Sequence, residues 1–281
     1  MLASPEQIGV AAYHRWQRRG YDHGRHREDW LVAEQEMTFS LNYEVVARYR
    51  LDGVGPRNLG DEDDRRCRFC EGSPPRATFD EARPALPSSL GNEALFTLEE
   101  CDDCHAQFEE SIGGDLDRFV GSLRHGAEVG PGAYVPVAAF KGLARAALAL
   151  LPEEELATCE AAIEWVGNPD HDLDSRSIGG MECIVHRLAE PSAFSWAALA
   201  RRSDDDATHP YLLAFFATGD LVLQLPIPLC VRDEDLEGAW TIPRVASPFG
   251  VGRGPLEAQV AIVPLSSPDS RRETRLEYVA L

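Results

Sequence analysis

Apolar residues recur along this chain first at helical spacing, then in alternation, and later in longer unbroken runs. Between Gln7 and Arg18, Ile8, Ala11, Ala12 and Trp16 fall at helical intervals. Gly20 and Gly24 interrupt the pattern, and Glu28 to Met37 resumes it with Trp30, Leu31 and Ala33. Residues 1–38 are therefore predicted to form a small helical unit. Residues 39–60 read as strand and turn: Thr38-Phe39-Ser40-Leu41 and Glu44 to Leu51, then Gly53, Gly55-Pro56 and Gly60. After Gly130-Pro131-Gly132 the character changes. Ala138 to Leu151 predicts a strongly apolar helix. Pro152-Glu153-Glu154-Glu155 opens another that reaches Trp165, with proline in its first turn and acids at the positive helix end. Met181 to Leu188, Tyr211 to Thr218, Leu221 to Ile227 and Gln259 to Leu265 read as strands, and Gly219-Asp220 predicts a hairpin. Tyr211 to Phe216 is apolar on both faces, which places it centrally in a sheet. The expected class is α+β in three parts: residues 1–38, 39–130 and 131–281.

Composition narrows the setting. The chain has 281 residues, 44% hydrophobic and 26% charged, values of a folded globular protein. Met1-Leu2-Ala3-Ser4-Pro5-Glu6 lacks the basic and apolar regions of a secretory leader. No run reaches the roughly 20 apolar residues of a membrane helix. The nearest, Tyr134 to Leu151, is broken by Lys141 and Arg145. A cytoplasmic location and no membrane partner are expected. The formal net charge of −20 disfavours tight, non-specific nucleic-acid binding, which needs clustered positive charge.

Seven cysteines change the picture further. Cys159, Cys183 and Cys230 stand alone and read as small buried hydrophobes. The other four form two pairs, Cys67-Arg68-Phe69-Cys70 and Cys101-Asp102-Asp103-Cys104. Two C-x-x-C turns aim four thiolates at one point and close a tetrahedral zinc site with no open position for substrate. The expected cofactor is thus a structural Zn²⁺ on Cys67, Cys70, Cys101 and Cys104. Helix-like sequence follows Cys104, with Phe108, Leu116, Phe119 and Val120, so the last ligand sits at a helix start. A knuckle and strands followed by a knuckle and helix is a treble-clef order. His14, His23 and His26 are irregularly spaced with no acidic or cysteine partner, and read as solvated.

Two resemblances follow from these residues. Ile8-Gly9-Val10-Ala11-Ala12-Tyr13-His14-Arg15-Trp16, Gly20, Gly24, Asp29-Trp30-Leu31 and Ala33-Glu34 resemble a short bacterial domain of unknown function, which implies no chemistry. Residues 65–120 resemble a zinc-containing branch of the HNH endonucleases. The two cysteine pairs, Ala77-Thr78-Phe79, Glu81-Ala82-Arg83, Pro87-Ser88-Ser89-Leu90-Gly91-Asn92, Leu95-Phe96, Glu100 and Phe108 carry that likeness. It implies a ββα-metal nuclease. In that family a histidine after Glu-Ala serves as general base, an asparagine after the last cysteine supports the site, and a divalent Mg²⁺ or Mn²⁺ stabilises the leaving oxygen.

This chain departs from the family at both positions. Arg83 stands at the histidine position and His105 at the asparagine position. Arginine stays protonated and cannot act as base. Glu81 and His105 remain the candidate catalytic residues, Glu81 as a metal ligand and His105 as a substitute base. Residues 61–130 carry seventeen acids against seven arginines, and a four-thiolate zinc adds two further negative charges. Arg65, Arg66, Arg68 and Arg83 are the candidate basic patch. Two functions are therefore expected to compete: a diverged HNH nuclease acting on DNA or RNA, and an inactive zinc module that contacts a protein partner.

Overall fold

A computed structural model describes residues 1–125, 134–169, 181–203, 208–234 and 241–265. The predicted break at Gly130-Pro131-Gly132 lies outside the described residues. The fold is α+β, with a helical N-terminus, a cysteine-rich region of small strands and a helix, and a large antiparallel sheet.

Helix α1 (Pro5–Arg18) starts where the sequence can satisfy its free amides. The Ser4 hydroxyl accepts from the Gln7 N–H at 3.2 Å, the Gln7 side chain accepts from the Ser4 N–H at 2.9 Å, and Pro5 follows the cap. Helix α2 (His26–Asn42) packs on it around Ile8, Ala11 and Ala33. The buried Asp29 of α2 takes Arg19 at 2.5 Å and Arg15 at 3.5 Å, tying the pair together. Thr38 to Leu41, expected as strand, is the last turn of α2. Tertiary packing decides it: Phe39 stands edge-on to Phe215 at 5.7 Å and stacks on Tyr43 at 5.1 Å, so helical geometry there buries the ring against the sheet.

The large sheet has the order β1-β6-β7-β8-β5-β9, every neighbouring pair antiparallel. Its strands are β1 (Tyr43–Arg50), β5 (Glu182–Leu188), β6 (Trp196–Arg202), β7 (Leu212–Thr218), β8 (Leu221–Pro226) and β9 (Ala258–Pro264). Strand β6 has no counterpart in the sequence reading. Strand β1 pairs with it across some 150 residues of chain, Tyr43 opposite Arg202 and Arg50 opposite Trp196. Strands β7 and β8 turn through Gly219-Asp220 as expected, with Gly219 at φ 59°. β7 lies inside the sheet and is buried throughout. Leu212, Ala214 and Phe216 join the core on one face; Leu213, Phe215 and Ala217 join the core on the other.

The first face is covered by helices. α5 (Pro136–Leu148) is buried along its whole length, including Lys141 and Arg145. α4 (Gly114–His125) approaches it closely at Gly142, where a Cβ would sit 2.9 Å from that of Leu116. The helix expected from Pro152 to Trp165 is instead two short ones, α6 (Glu153–Leu156) and α7 (Glu160–Gly167), with Pro152 as a cap outside the first. Cys159, Cys183 and Cys230 are buried, as their isolation suggested. Among the described residues no helix is long and apolar enough to cross a membrane.

Candidate metal centre

A second, three-stranded sheet frames the cysteines. β2 (Arg57–Leu59) pairs parallel with β4 (Leu95–Thr97), and β3 (Arg83–Pro84) pairs antiparallel with β4. α3 (Asp102–Phe108) follows, giving a ββα order from β3 onward. Cys67 to Cys70 forms a tight turn in which the Glu71 N–H donates to the Cys67 carbonyl at 2.9 Å. Cys101 is the extended residue before α3 and Cys104 lies in its first turn.

These elements bring all four sulfurs within 4.8 Å of one another. Cys70 and Cys101 are 3.6 Å apart at sulfur, and the Cys101 N–H points at the Cys67 sulfur at 3.5 Å. Zinc–sulfur bonds of about 2.3 Å in a tetrahedron put sulfurs about 3.8 Å apart, so the arrangement fits a closed four-thiolate ion. The cluster also singles out one thiol for ionisation. Hydrogen bonding from Cys104, then from backbone amides, pulls Cys67 down to about 5. Burial pushes Cys101 up to about 11, and the neighbouring Cys67 pushes Cys104 up as well. A divalent cation removes that conflict by accepting four thiolates together.

Arg83 and His105 fall beside this centre with separate carboxylate partners. Arg83 on β3 reaches Asp102 at the start of α3 at 2.8 Å. Hydrogen bonding to Arg83 lowers Asp102 to about 2, and the same bond raises Arg83 further above its ordinary range. His105, one turn along α3, places Nδ1 3.0 Å from Oε1 of the buried Glu100. The other Glu100 oxygen accepts from Arg145 of α5. A carboxylate can only accept, so the proton of this bond is assigned to Nδ1. His105 and Arg145 line a cavity of about 330 Å³ with Asn92, Phe108 and Glu109. Its wall includes a π-helical turn, Glu109–Gly113, a feature that recurs at functional sites. Glu81 is exposed and does not line that cavity, although it lies within electrostatic reach of Arg83.

Comparison with known proteins bears on the other end of the chain. Residues 3–38 match a family model described as "Protein of unknown function (DUF2934)". That match covers α1 and most of α2, in agreement with the resemblance read from its tryptophans and glycines. Neither the curated proteins nor the solved structures compared include a match to this chain. The HNH likeness of residues 65–120 rests on the residues themselves.

The candidate basic patch is engaged internally. Arg66 pairs with Glu71 at 3.0 Å, Arg68 with Glu99 at 2.6 Å and Arg83 with Asp102, while Arg65 donates to the Phe79 carbonyl at 2.6 Å. Arg68 also donates to the Leu151 carbonyl at 2.6 Å, and the Phe69 ring meets Phe108 edge-on at 4.8 Å. Glu100 and Arg145 are the residues that sequence reasoning missed. The available signal was Arg145 itself, since a charge inside an apolar helix calls for a buried partner.

Proposed function

We propose that residues 57–108 form a structural zinc module on an HNH-type ββα frame, and that this chain uses the module as a scaffold for protein contact and not to cut phosphodiesters. The Arg83–Asp102 pair carries the reading. At the position where the family's base would stand is a permanent cation, locked to an acid at 2.8 Å. Water attack on a phosphodiester needs a proton acceptor, and such help is worth about 10²–10⁴ in rate. Of the module's other five arginines, Arg65, Arg66 and Arg68 are engaged with acids or a carbonyl, and the exposed Arg57 and Arg76 stand among twelve acids in residues 57–108, a poor setting for a nucleic-acid backbone. Among the described residues the four cysteines are the one group of three or more His, Cys, Asp or Glu side chains with metal-holding geometry.

A second reading has its own support. His105 is oriented by a buried carboxylate and opens onto a cavity, the arrangement of a general base. It would make the chain an HNH-like phosphodiesterase with a relocated base. The experiment is a cleavage assay on DNA and RNA with Mg²⁺ and with Mn²⁺, run on zinc-loaded wild type, His105→Ala, Arg83→His, Arg83→His with His105→Asn, and Glu81→Ala. The scaffold reading expects a silent wild type, and gain of cleavage in the double variant would support the HNH frame beneath it. Metal-dependent cleavage by the wild type that His105→Ala abolishes would overturn the scaffold reading in favour of the second.

A further inference from the structure

Two of the three cysteines outside the metal centre meet, although about 70 residues of chain lie between them. Cys159 stands at the start of α7, and Cys230 follows β8, just before a 3₁₀ turn, Val231–Asp233. Their thiols hydrogen-bond to each other. The Thr158 hydroxyl lies beside both, 3.3 Å from the Cys230 sulfur and 3.7 Å from the Cys159 sulfur. A main-chain bond fastens the two segments, the Val231 N–H donating to the Thr158 carbonyl at 2.9 Å. The chain delivers Cys230 to this place through Leu229 at φ 54°, a conformation that bulky side chains rarely take. Such a backbone cost persists only where surrounding contacts enforce it.

Cys183 shows the contrasting case of a thiol that only packs. It lies inside the sheet on β5, which is paired with β8 on one side and β9 on the other, and burial pushes its thiol up. Cys159 and Cys230 are equally buried, but their chain neighbours Ala157, Glu160, Val231 and Arg232 are exposed. Opening two short turns uncovers the pair without parting any strands. Cys230 is the thiol that ionises first. Hydrogen bonding from Cys159, helped by the Thr158 hydroxyl and the Arg232 amide, outweighs burial and the weaker push of Asp233, and lowers it. The same contact and burial hold Cys159 in its protonated form. A thiolate beside a protonated thiol is the arrangement of an attacking and a resolving cysteine.

We propose that Cys159 and Cys230 form a redox-active pair, which a peroxide closes to a disulfide and a dithiol reopens. The Cys230 thiolate attacks a peroxide oxygen, the O–O bond breaks, and Cys230 becomes a sulfenic acid as the first water leaves. The Cys159 sulfur then attacks the Cys230 sulfur, and the sulfenic hydroxyl departs with the Cys159 proton as a second water. Two thiols lose two electrons, and one hydrogen peroxide is reduced to two waters. The cross-link encloses β5 to β8 and fastens the helical layer to the sheet. It stands apart from the four-cysteine centre and rests on no part of the proposed function.

The test treats the full-length, zinc-loaded protein with hydrogen peroxide, denatures it in an alkylating agent, digests it with trypsin and maps the peptides by mass spectrometry. Arginines place Cys159, Cys183 and Cys230 on separate peptides, 146–176, 177–187 and 203–232, none of which contains a cysteine of the metal centre. The expected product joins 146–176 to 203–232 with the loss of two hydrogens, while Cys183 stays alkylated. The oxidised protein is expected to melt on the order of 5 °C higher, and dithiothreitol to reverse both changes. Cys230→Ser and Cys159→Ser should each lose the cross-link and the shift; the wild-type map decides the matter even where a variant fails to fold. Free Cys159 and Cys230 after a peroxide dose that fully oxidises glutathione would overturn the proposal. So would cross-links spread equally to Cys183 or to the metal-centre cysteines, sulfinic acid at Cys230 without a cross-link, or a cross-linked protein that melts no higher.

Discussion

Around the sulfurs, the first knuckle and the loop after it bury few apolar side chains: Ala77 and Phe79 beside Cys67 and Cys101, with Phe69 and Cys104 partly covered. Strand β7 is the opposite case, with seven consecutive residues buried and both faces packed into apolar cores. Ordering a residue costs roughly 1–2 kcal/mol in backbone entropy, and burial of about 25 cal/mol per Å² of apolar surface must offset it. Strand β7 meets that demand with leucine and phenylalanine. The segment from Arg65 to Phe79 buries little such surface, and on the proposed reading a metal bound by four thiolates holds its shape. The two regions are joined where Glu100 accepts from Arg145 and where Arg68 reaches the carbonyls at the end of α5.

The largest expected effect separates the two regions. Structural zinc contributes about 10–16 kcal/mol to small zinc modules at neutral pH. Chelation, or Cys101→Ser, should therefore unfold the knuckle segment and expose Arg65, Arg66 and Arg76 to trypsin, while the sheet keeps its far-ultraviolet signal. Leu143→Ala, in the buried α5, should do the reverse: it should lower the unfolding free energy of the sheet region by about 2–5 kcal/mol and leave the zinc content intact. If chelation and Leu143→Ala gave the same proteolytic pattern, the regions would not be held differently.

A smaller effect tests the junction. Glu100→Gln removes the carboxylate that faces Arg145 and His105, leaving a buried guanidinium without its counter-charge. A loss of about 3–5 kcal/mol is expected in denaturant unfolding. Combining it with Arg145→Met should recover much of that loss, since the pair is removed together. Additive losses in the double variant would show that the two side chains do not interact.

The smallest effect is in pH, and its sign differs between the regions. In the module, Arg83 holds Asp102 at about 2, below its ordinary 3.8. That contribution is present above pH 3.8 and is lost as pH falls toward 2. Near the sheet, burial raises Asp233 to about 6, only partly offset by the Tyr211 amide and Arg202. Its contribution is full below 3.8 and is lost as pH rises through 6. Arg83→Met should therefore reduce stability by on the order of 1 kcal/mol at pH 6 and very little at pH 2. Asp233→Asn should flatten the decline between pH 4 and 6. A decline that persists in Asp233→Asn would assign it to another group.

Much of this was legible where local chemistry dominates. The two cysteine pairs, the Gly219-Asp220 turn and the two-faced apolar run of β7 each state their structure within a few residues. What depended on distant partners was not legible. Phe39 reads as strand until Phe215 is beside it. Trp196 to Arg202 is a strand because β1 and β7 flank it. Glu100 reads as one more acid in an acidic segment until Arg145, 45 residues later, arrives across the core. The candidate catalytic residues were legible as types and not as a group, because the sequence does not show that Arg83 turns to Asp102 while His105 turns to Glu100.

The central claim is that the four cysteines hold one structural zinc ion. Elemental analysis of the purified full-length protein, combined with X-ray absorption at the zinc edge, tests it most directly. The account predicts one zinc per chain with four sulfur neighbours at about 2.3 Å and no oxygen or nitrogen neighbour. A folded, protease-resistant protein without zinc, or a zinc bound by nitrogen or oxygen ligands with an open position, would contradict it.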